Sequence, residues 1–251
     1  MCTLSVTPLP DGFIVAMNRD ERRDRPLGGR LVLAEAAGRR VAHPTDAEAG
    51  GTWFGANSAG FVVALLNNYA AMDPFGARPA SRGLIPLALL DAPDATSAAA
   101  RLASLDLQLY RPFRAVVIDP AGEITVGESD GLHLALRRAP FGPWLLVSSG
   151  AAEPAVRTWR QARFQAFLQA LPAAAPPPVE QVRALHFEPH PTDTALGFSM
   201  SRFEARSVSY SEVEVRSGRW TLRHLEEPPV WYTAEKGERL EASQITLREP
   251  S

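Results

Sequence analysis

The second residue of the chain is its only cysteine, and Asn18-Arg19-Asp20-Glu21 follows one short hairpin later. A thiol in that place has an uncommon chemistry open to it. Removal of Met1 would make Cys2 the N-terminus, and an α-amine, with a reference pKa of about 7.7–8.0 against about 10.4 for lysine, is the amine with an appreciable free-base fraction close to neutral pH. Cys2 would then own both a nucleophilic sulfur and a base a few bonds away. Arg19 nearby would favour the thiolate, and Asp20 would accept hydrogen bonds from the ammonium form and fix its direction. With Met1 retained, the same nitrogen is an amide and the base is lost.

Local structure must bring these groups together. Thr3 to Pro8 and Phe13 to Asn18 read as strands joined through Leu9-Pro10-Asp11-Gly12, whose Asp-Gly is a strong hairpin signal. Facing residues of an antiparallel hairpin sum to a constant, here between about 21 and 23, so Cys2 faces Arg19, Asp20 or Glu21. After a polar, Arg-rich loop, TWFGANSAGFVVALLNNY predicts two strands joined at Asn57 to Gly60, the second buried on both faces. SRGLIPLALL and SAAARLASL predict short helices that cover a sheet. FRAVVID, EITVGES, LHLALRR and PWLLVSS predict four more strands. Helical spacing of Phe164, Phe167, Leu168 and Leu171 predicts a helix from Pro154 to Leu171, stopped by the linker PAAAPPP, and the tail reads as one more hairpin.

Composition bounds the function. The 251 residues, 45% hydrophobic, suffice for one large core, and a single domain over 1–251 is expected. A net charge of -2 gives no field that would draw nucleic acid or anionic lipid. One cysteine forms no internal disulfide, the start lacks a secretory pattern, and no run reaches transmembrane length. The expectation is a cytoplasmic protein with a small-molecule substrate or ligand, without nucleic acid or membrane insertion; the oligomeric state is open. His186 and His190 have i, i+4 spacing, but Pro189 breaks the helical face and no third ligand stands near, so no metal is expected. Gly50-Gly51-Thr52-Trp53 lacks the Lys-Ser or Lys-Thr of a phosphate loop.

Met-Cys at the start, Asn18-Arg19-Asp20-Glu21, Arg25-Pro26, Gly50-Gly51-Thr52-Trp53-Phe54-Gly55 and Asn68-Tyr69 resemble the NRDE family, also called the transport and Golgi organisation type. Weaker likeness continues through Ser81-Arg82-Gly83, Ser148-Ser149, Trp159-Arg160 and Arg206-Ser207. The resemblance implies an α+β fold, the αββα four-layer sandwich of the N-terminal-nucleophile hydrolases. Bile-salt hydrolases and penicillin V acylases of that type use an N-terminal cysteine, an arginine and an aspartate after the second strand, and an oxyanion asparagine. By that likeness Cys2, Arg19, Asp20 and Asn68 are the implied catalytic residues, with Asn67 the adjacent alternative to Asn68. Asn18, Trp53, Asn67 and Arg206 are the implied substrate-binding residues; Trp53 either walls the pocket or packs, and Arg206 would meet a substrate carboxylate. A second asparagine expected later is replaced by Ser148-Ser149-Gly150. Two functions are implied: an amidohydrolase or acyltransferase acting on a small amide, ester or thioester, or a non-catalytic carrier of haem, lipid or coenzyme A ligands. No resident cofactor is expected; haem enters only as a carried ligand.

Overall fold

The computed structural model of the chain describes residues 2–26, 28–71, 76, 78–171, 179–226 and 243–248. The linker read at PAAAPPP lies outside them. Two antiparallel sheets stack face to face with helices on both outer faces, an αββα order of layers.

The first sheet is built on the N-terminal hairpin, β1 (Cys2–Leu9) and β2 (Gly12–Arg22), which turns at Pro10-Asp11. The second holds β3 (Leu31–Ala36), β4 (Arg39–Pro44), β5 (Phe54–Asn57), β6 (Val62–Asn67), β7 (Phe113–Ile118), β8 (Ile124–Ser129) and β9 (Leu134–Ala139) in chain order. The chain then returns to the first sheet with β10 (Trp144–Ser148), which pairs with β1; β11 (Ala205–Arg216), β12 (Arg219–Glu226) and β13 (Ser243–Arg248) extend it beyond β2. Cys2 thus begins an interior strand, opposite Arg19 on one side and Ser148 on the other.

Alternation sorts the side chains of β1. Cys2, Leu4 and Val6 join Phe13, Val15 and Met17 between the sheets, against Phe54, Ala64, Leu66 and Val116 of the second sheet. Thr3, Ser5 and Thr7 take the other face, and all three are buried. That face is covered by α3 (Glu153–Ala170) and α4 (Val179–His186), whose Phe164, Val182 and Leu185 pack with Ile14, Ala16, Tyr210 and Phe198. On the opposite outer face α1 (Leu84–Leu90) and α2 (Ala95–Ala103) set Ile85, Leu89, Ala98 and Leu102 on Val63, Leu65, Ala115 and Val117. Asp94 caps α2 by accepting from the Ser97 N–H at 2.7 Å. No described helix is long and apolar enough to cross a membrane.

Within the fold, the structure corrects the sequence reading in one place and extends it in two. The stretch read as an Arg-rich loop holds the β3–β4 hairpin, which turns at Ala37-Gly38, both at positive φ. Of the two strands only β3 lies at the sheet edge, with none of its residues buried, while β4 is buried from Val41 to Pro44, so the apolar pattern differs between the two strands of the hairpin. The additions are α4 and β13.

The β5–β6 turn joins the two sheets. Asn57 accepts from the Ala59 N–H at 2.7 Å and donates to Leu90 O at 2.6 Å, which leaves Gly60 at φ 91°. A Cβ there would stand 2.3 Å from the buried Trp220 ring of β12. Gly60→Ala is therefore expected to cost roughly 2 kcal/mol or more, through positive-φ strain and overpacking, and to lower the melting temperature by several degrees. An unchanged calorimetric melt would show that the turn does not couple the sheets.

Candidate active site

The first turn of space around Cys2 is a small cleft of about 100 Å³ at the end of the two sheets. Cys2, Arg19 and Glu21 supply one wall, Thr52, Trp53, Leu65 and Asn67 another, and Ser81, Arg82 and Gly83 close it ahead of α1. Cys2 is 7% exposed.

Arg19 faces Cys2 in register and is held from three directions. Its Nη2 donates to Glu21 Oε2 and to Asp46 Oδ2, each at 3.2 Å, and its guanidinium lies over the Trp53 ring at 4.3 Å. Arg25 binds the same two carboxylates, Asp46 at 2.7 Å and Glu21 at 3.3 Å. Burial works to raise the Asp46 carboxyl, but Arg25 and Arg19 outweigh it and hold it below the usual range. The four groups form a charge-balanced lattice at the cleft mouth. Trp53 walls the cleft and packs at once.

Asp20 points away from Arg19, as alternation requires. Its Oδ1 accepts from Ser207 Oγ at 2.5 Å, and its Oδ2 stands 3.7 Å from Nη2 of the fully buried Arg160 of α3. Arg160 also donates to Thr3 Oγ1 and to Leu196 O. Asp20 still reaches the thiol, because its main chain hydrogen-bonds to Cys2. Burial pushes the Cys2 thiol above its ordinary value, and the Asp20 charge adds to this, while Arg19 and the Asp20 main chain oppose it. The N-terminal ammonium opposes burial as well, yet the net direction is upward, so the neighbouring charges do not by themselves favour the thiolate.

Three site expectations need correction. Asn68 does not line the cleft; its Nδ2 donates to Ser129 O, at the end of β8, at 3.1 Å. β6 ends at Asn67, so the alternation that would have aimed Asn68 inward stops one residue short of it. Asn67 takes the place: it lines the cleft, its Nδ2 donates to Tyr69 Oη at 2.6 Å, and its carbonyl accepts from Ser148 Oγ. Asn18 lies on the helix-covered face, fully buried. Its Nδ2 donates to His186 O and Phe198 O at 2.7 and 2.8 Å, and its Oδ1 accepts from His186 Nδ1 at 2.7 Å. It meets no substrate there. Arg206 stands opposite Glu21 on β11, half-buried and outside the residues that line the cleft.

Sequence reasoning missed Asp46, Arg25, Tyr69 and Arg82 as parts of the site. Arg25, Tyr69 and Arg82 lay inside quoted motifs, but a role for them needs the third dimension. Burial raises the Tyr69 phenol and lowers the Arg82 guanidinium. Among the described residues no group of three or more His, Cys, Asp or Glu side chains is arranged to hold a metal ion.

Comparison with known proteins places this geometry. The family model described as Transport and Golgi organisation 2 matches residues 1–143. No curated protein matches the chain. Among solved structures, penicillin V acylase from Agrobacterium tumefaciens superposes with a TM-score of 0.60 at 13% identity, over 98% of this chain and 86% of that one. The mutant C2A conjugated bile acid hydrolase from Clostridium perfringens does so with a TM-score of 0.55 at 11% identity, over 98% and 96%. At such identities the likeness is one of fold: the αββα sandwich of the N-terminal-nucleophile hydrolases.

While Met1 is in place, alkylation of Cys2 by iodoacetamide is expected to be slow at pH 7 and to rise only above the free-thiol value of about 8.5, because burial favours the neutral form. Measuring the rate against pH by intact mass checks this. A midpoint below the free-thiol value would mean that Arg19 dominates the site.

Proposed function

The chain belongs to the Transport and Golgi organisation 2 family, and on that premise we propose that it is a cysteine amidohydrolase or acyltransferase acting on a small amide, ester or thioester. The observation that carries this reading is the register that sets Cys2 opposite Arg19 inside a cleft that Asn67 also lines.

In the form that has lost Met1, the α-amine of Cys2 takes the proton from the buried thiol as the sulfur attacks the substrate carbonyl carbon. A thiol held neutral by burial needs such a base at the moment of attack. The carbonyl π bond opens onto oxygen. An amide NH2 carries two N–H groups, and Asn67 spends one on Tyr69, so the second serves the oxyanion without adding a competing charge. Tyr69 is then a positioning residue that fixes the Asn67 amide. Collapse of the tetrahedral species breaks the bond to the leaving group, which departs with the proton held by the ammonium. Water, or an acceptor amine or alcohol, releases the acyl group from sulfur. Asp20, held by Ser207 and Arg160, orients the ammonium through its charge. The bile acid hydrolase and penicillin V acylase that share this fold support the reaction class. The cleft of about 100 Å³ falls below the roughly 300–1,000 Å³ of a drug-sized pocket, which favours a small acyl group there over a bulky carried ligand such as haem.

Two variants test the proposal. Asn67→Ala is expected to lower the rate of Cys2 acylation by a small phenyl ester roughly 10²- to 10³-fold, whereas Asn68→Ala costs about 1 kcal/mol of stability and leaves the rate close to that of the parent. A variant with one extra residue retained before Cys2 is expected to keep its fold yet acylate roughly 10²- to 10⁴-fold more slowly, losing the titration of the amine. Equal pH profiles for the two forms would leave Cys2 a binding residue and support a carrier.

A further inference from the structure

The two groups that acyl transfer requires come from different sheets: Cys2 opens β1 in the first, and Asn67 closes β6 in the second. Main-chain ladders fix residues within a sheet and leave the spacing between sheets to side chains. At this end of the sandwich Ser148 spans that gap. It faces Cys2 in register on the neighbouring strand β10, roughly 5 Å away between Cα atoms, with its side chain on the same side of the sheet. It is fully buried, and its Oγ donates to the main-chain carbonyl of Asn67. One inter-strand step and one hydrogen bond thus join the nucleophile to the residue that carries the oxyanion amide.

The end of β10 is itself held in place. The buried Arg114 of β7 donates from Nη1 to Val147 O at 3.2 Å and to Glu153 Oε1 at 3.4 Å, and Glu153 Oε2 accepts from the Ser149 N–H at 3.2 Å. Both chain neighbours of Ser148 are therefore anchored, one directly to the second sheet and the other to the first residue of α3. A serine hydroxyl has a single proton to donate, and this one is committed to Asn67 O, so Ser148 does not itself donate to an oxyanion. Tyr69 accepts from the Asn67 amide, whereas Ser148 holds the main chain on which that amide stands. We propose that Ser148 is a positioning residue that sets the separation between the Cys2 sulfur and the Asn67 amide. Its part in the reaction rests on the acyl-transfer reading above; the clamp between the sheets does not.

Ser148→Ala removes the donor and little else. It is expected to slow acylation of Cys2 by a saturating small phenyl ester roughly 10- to 10²-fold while the half-saturating ester concentration stays within about twofold, since a misplacement of about 1 Å costs up to about 10²-fold in rate. Ser148→Thr, which keeps the hydroxyl, is expected to restore most of the rate. A chain carrying both Ser148→Ala and Asn67→Ala is expected to acylate no more slowly than Asn67→Ala alone, because the serine acts through that residue. The side-chain amide signals of Asn67 in the ¹⁵N-labelled chain, identified by their loss in Asn67→Ala, are expected to shift in Ser148→Ala, which reads the clamp without turnover. A parent-like rate in Ser148→Ala, or a double variant slowed by the full product of the two single factors, would overturn the positioning role. Unmoved Asn67 signals would overturn the clamp. A parent chain that forms no acyl adduct would overturn the acyl-transfer reading and the catalytic part of Ser148 with it, leaving the clamp to the Asn67 signals, so the two failures give different results.

Discussion

The pairing of β1 with β2, eight residues long and in unbroken register from Cys2↔Arg19 to Leu9↔Gly12, is the constraint on which the site depends. A slip of one residue would turn Cys2 from the space between the sheets to the helix-covered face, and would exchange Arg19 for Asp20 or Asn18 in the cleft. The register is held from both flanks. β10 sets Ser148 opposite Cys2, and β11 runs along β2 from Gly12 to Arg22, with one irregularity at Ser207 to Ser209, beside Arg19 and Asp20. On the inner face Leu4, Val6, Val15 and Met17 lie wholly out of water, so a shifted strand would expose a layer of apolar side chains to a polar environment.

The outer face of the same hairpin enforces the register by a different chemistry. Ser5 Oγ lies 2.7 Å from His186 Nε2, and His186 Nδ1 lies 2.7 Å from Asn18 Oδ1. The Asn18 NH2 is committed to two carbonyls, so its oxygen must accept from His186 Nδ1–H, which leaves Nε2 to accept from Ser5. Burial and the nearby Arg160 lower the His186 pKa to about 3, and the ring stays neutral at any working pH. A second chain runs from Thr3 through Arg160 to Asp20 and Ser207. Thr3, Ser5, Asn18 and Asp20 on this face are matched to partners from α3, α4, β11 and the segment before β11, and a shifted strand would leave several of them buried without one. The apolar inner face and the polar outer face therefore demand the same alignment, and the thiol is delivered to the cleft as a result.

This division explains what the sequence made legible. The hairpin could be read because its signals are local: Asp11-Gly12 marks the turn, and counting outward from it carries Arg19 to Cys2. β5 to β8 and the first three helices could be read from period and breakers. Contacts made at strand ends could not. Alternation separates Asn67 from Asn68 and points to Asn68, and only the end of β6 and the nearby Ser129 carbonyl overturn that. Asn18 sits beside Arg19 in the motif yet faces the opposite way, which alternation alone implies once the register is known. Asp46 and Arg25 lie in the stretch read as loop; the Ala37-Gly38 turn inside it is the signal that marks a second hairpin. Arg82 belongs to the site through the packing of α1, for which no short-range pattern exists.

The central claim is that this hairpin turns an N-terminal cysteine into a nucleophile that carries its own base. Its most direct test is time-resolved intact mass spectrometry of the chain mixed with a small phenyl ester, comparing the form that begins at Cys2 with the form that retains Met1. The account predicts a single acyl adduct on Cys2 that builds up and then decays with turnover in the first form, and that is nearly absent over the same interval in the second. Equal adduct formation in both forms, or a permanent adduct that never decays, would contradict it.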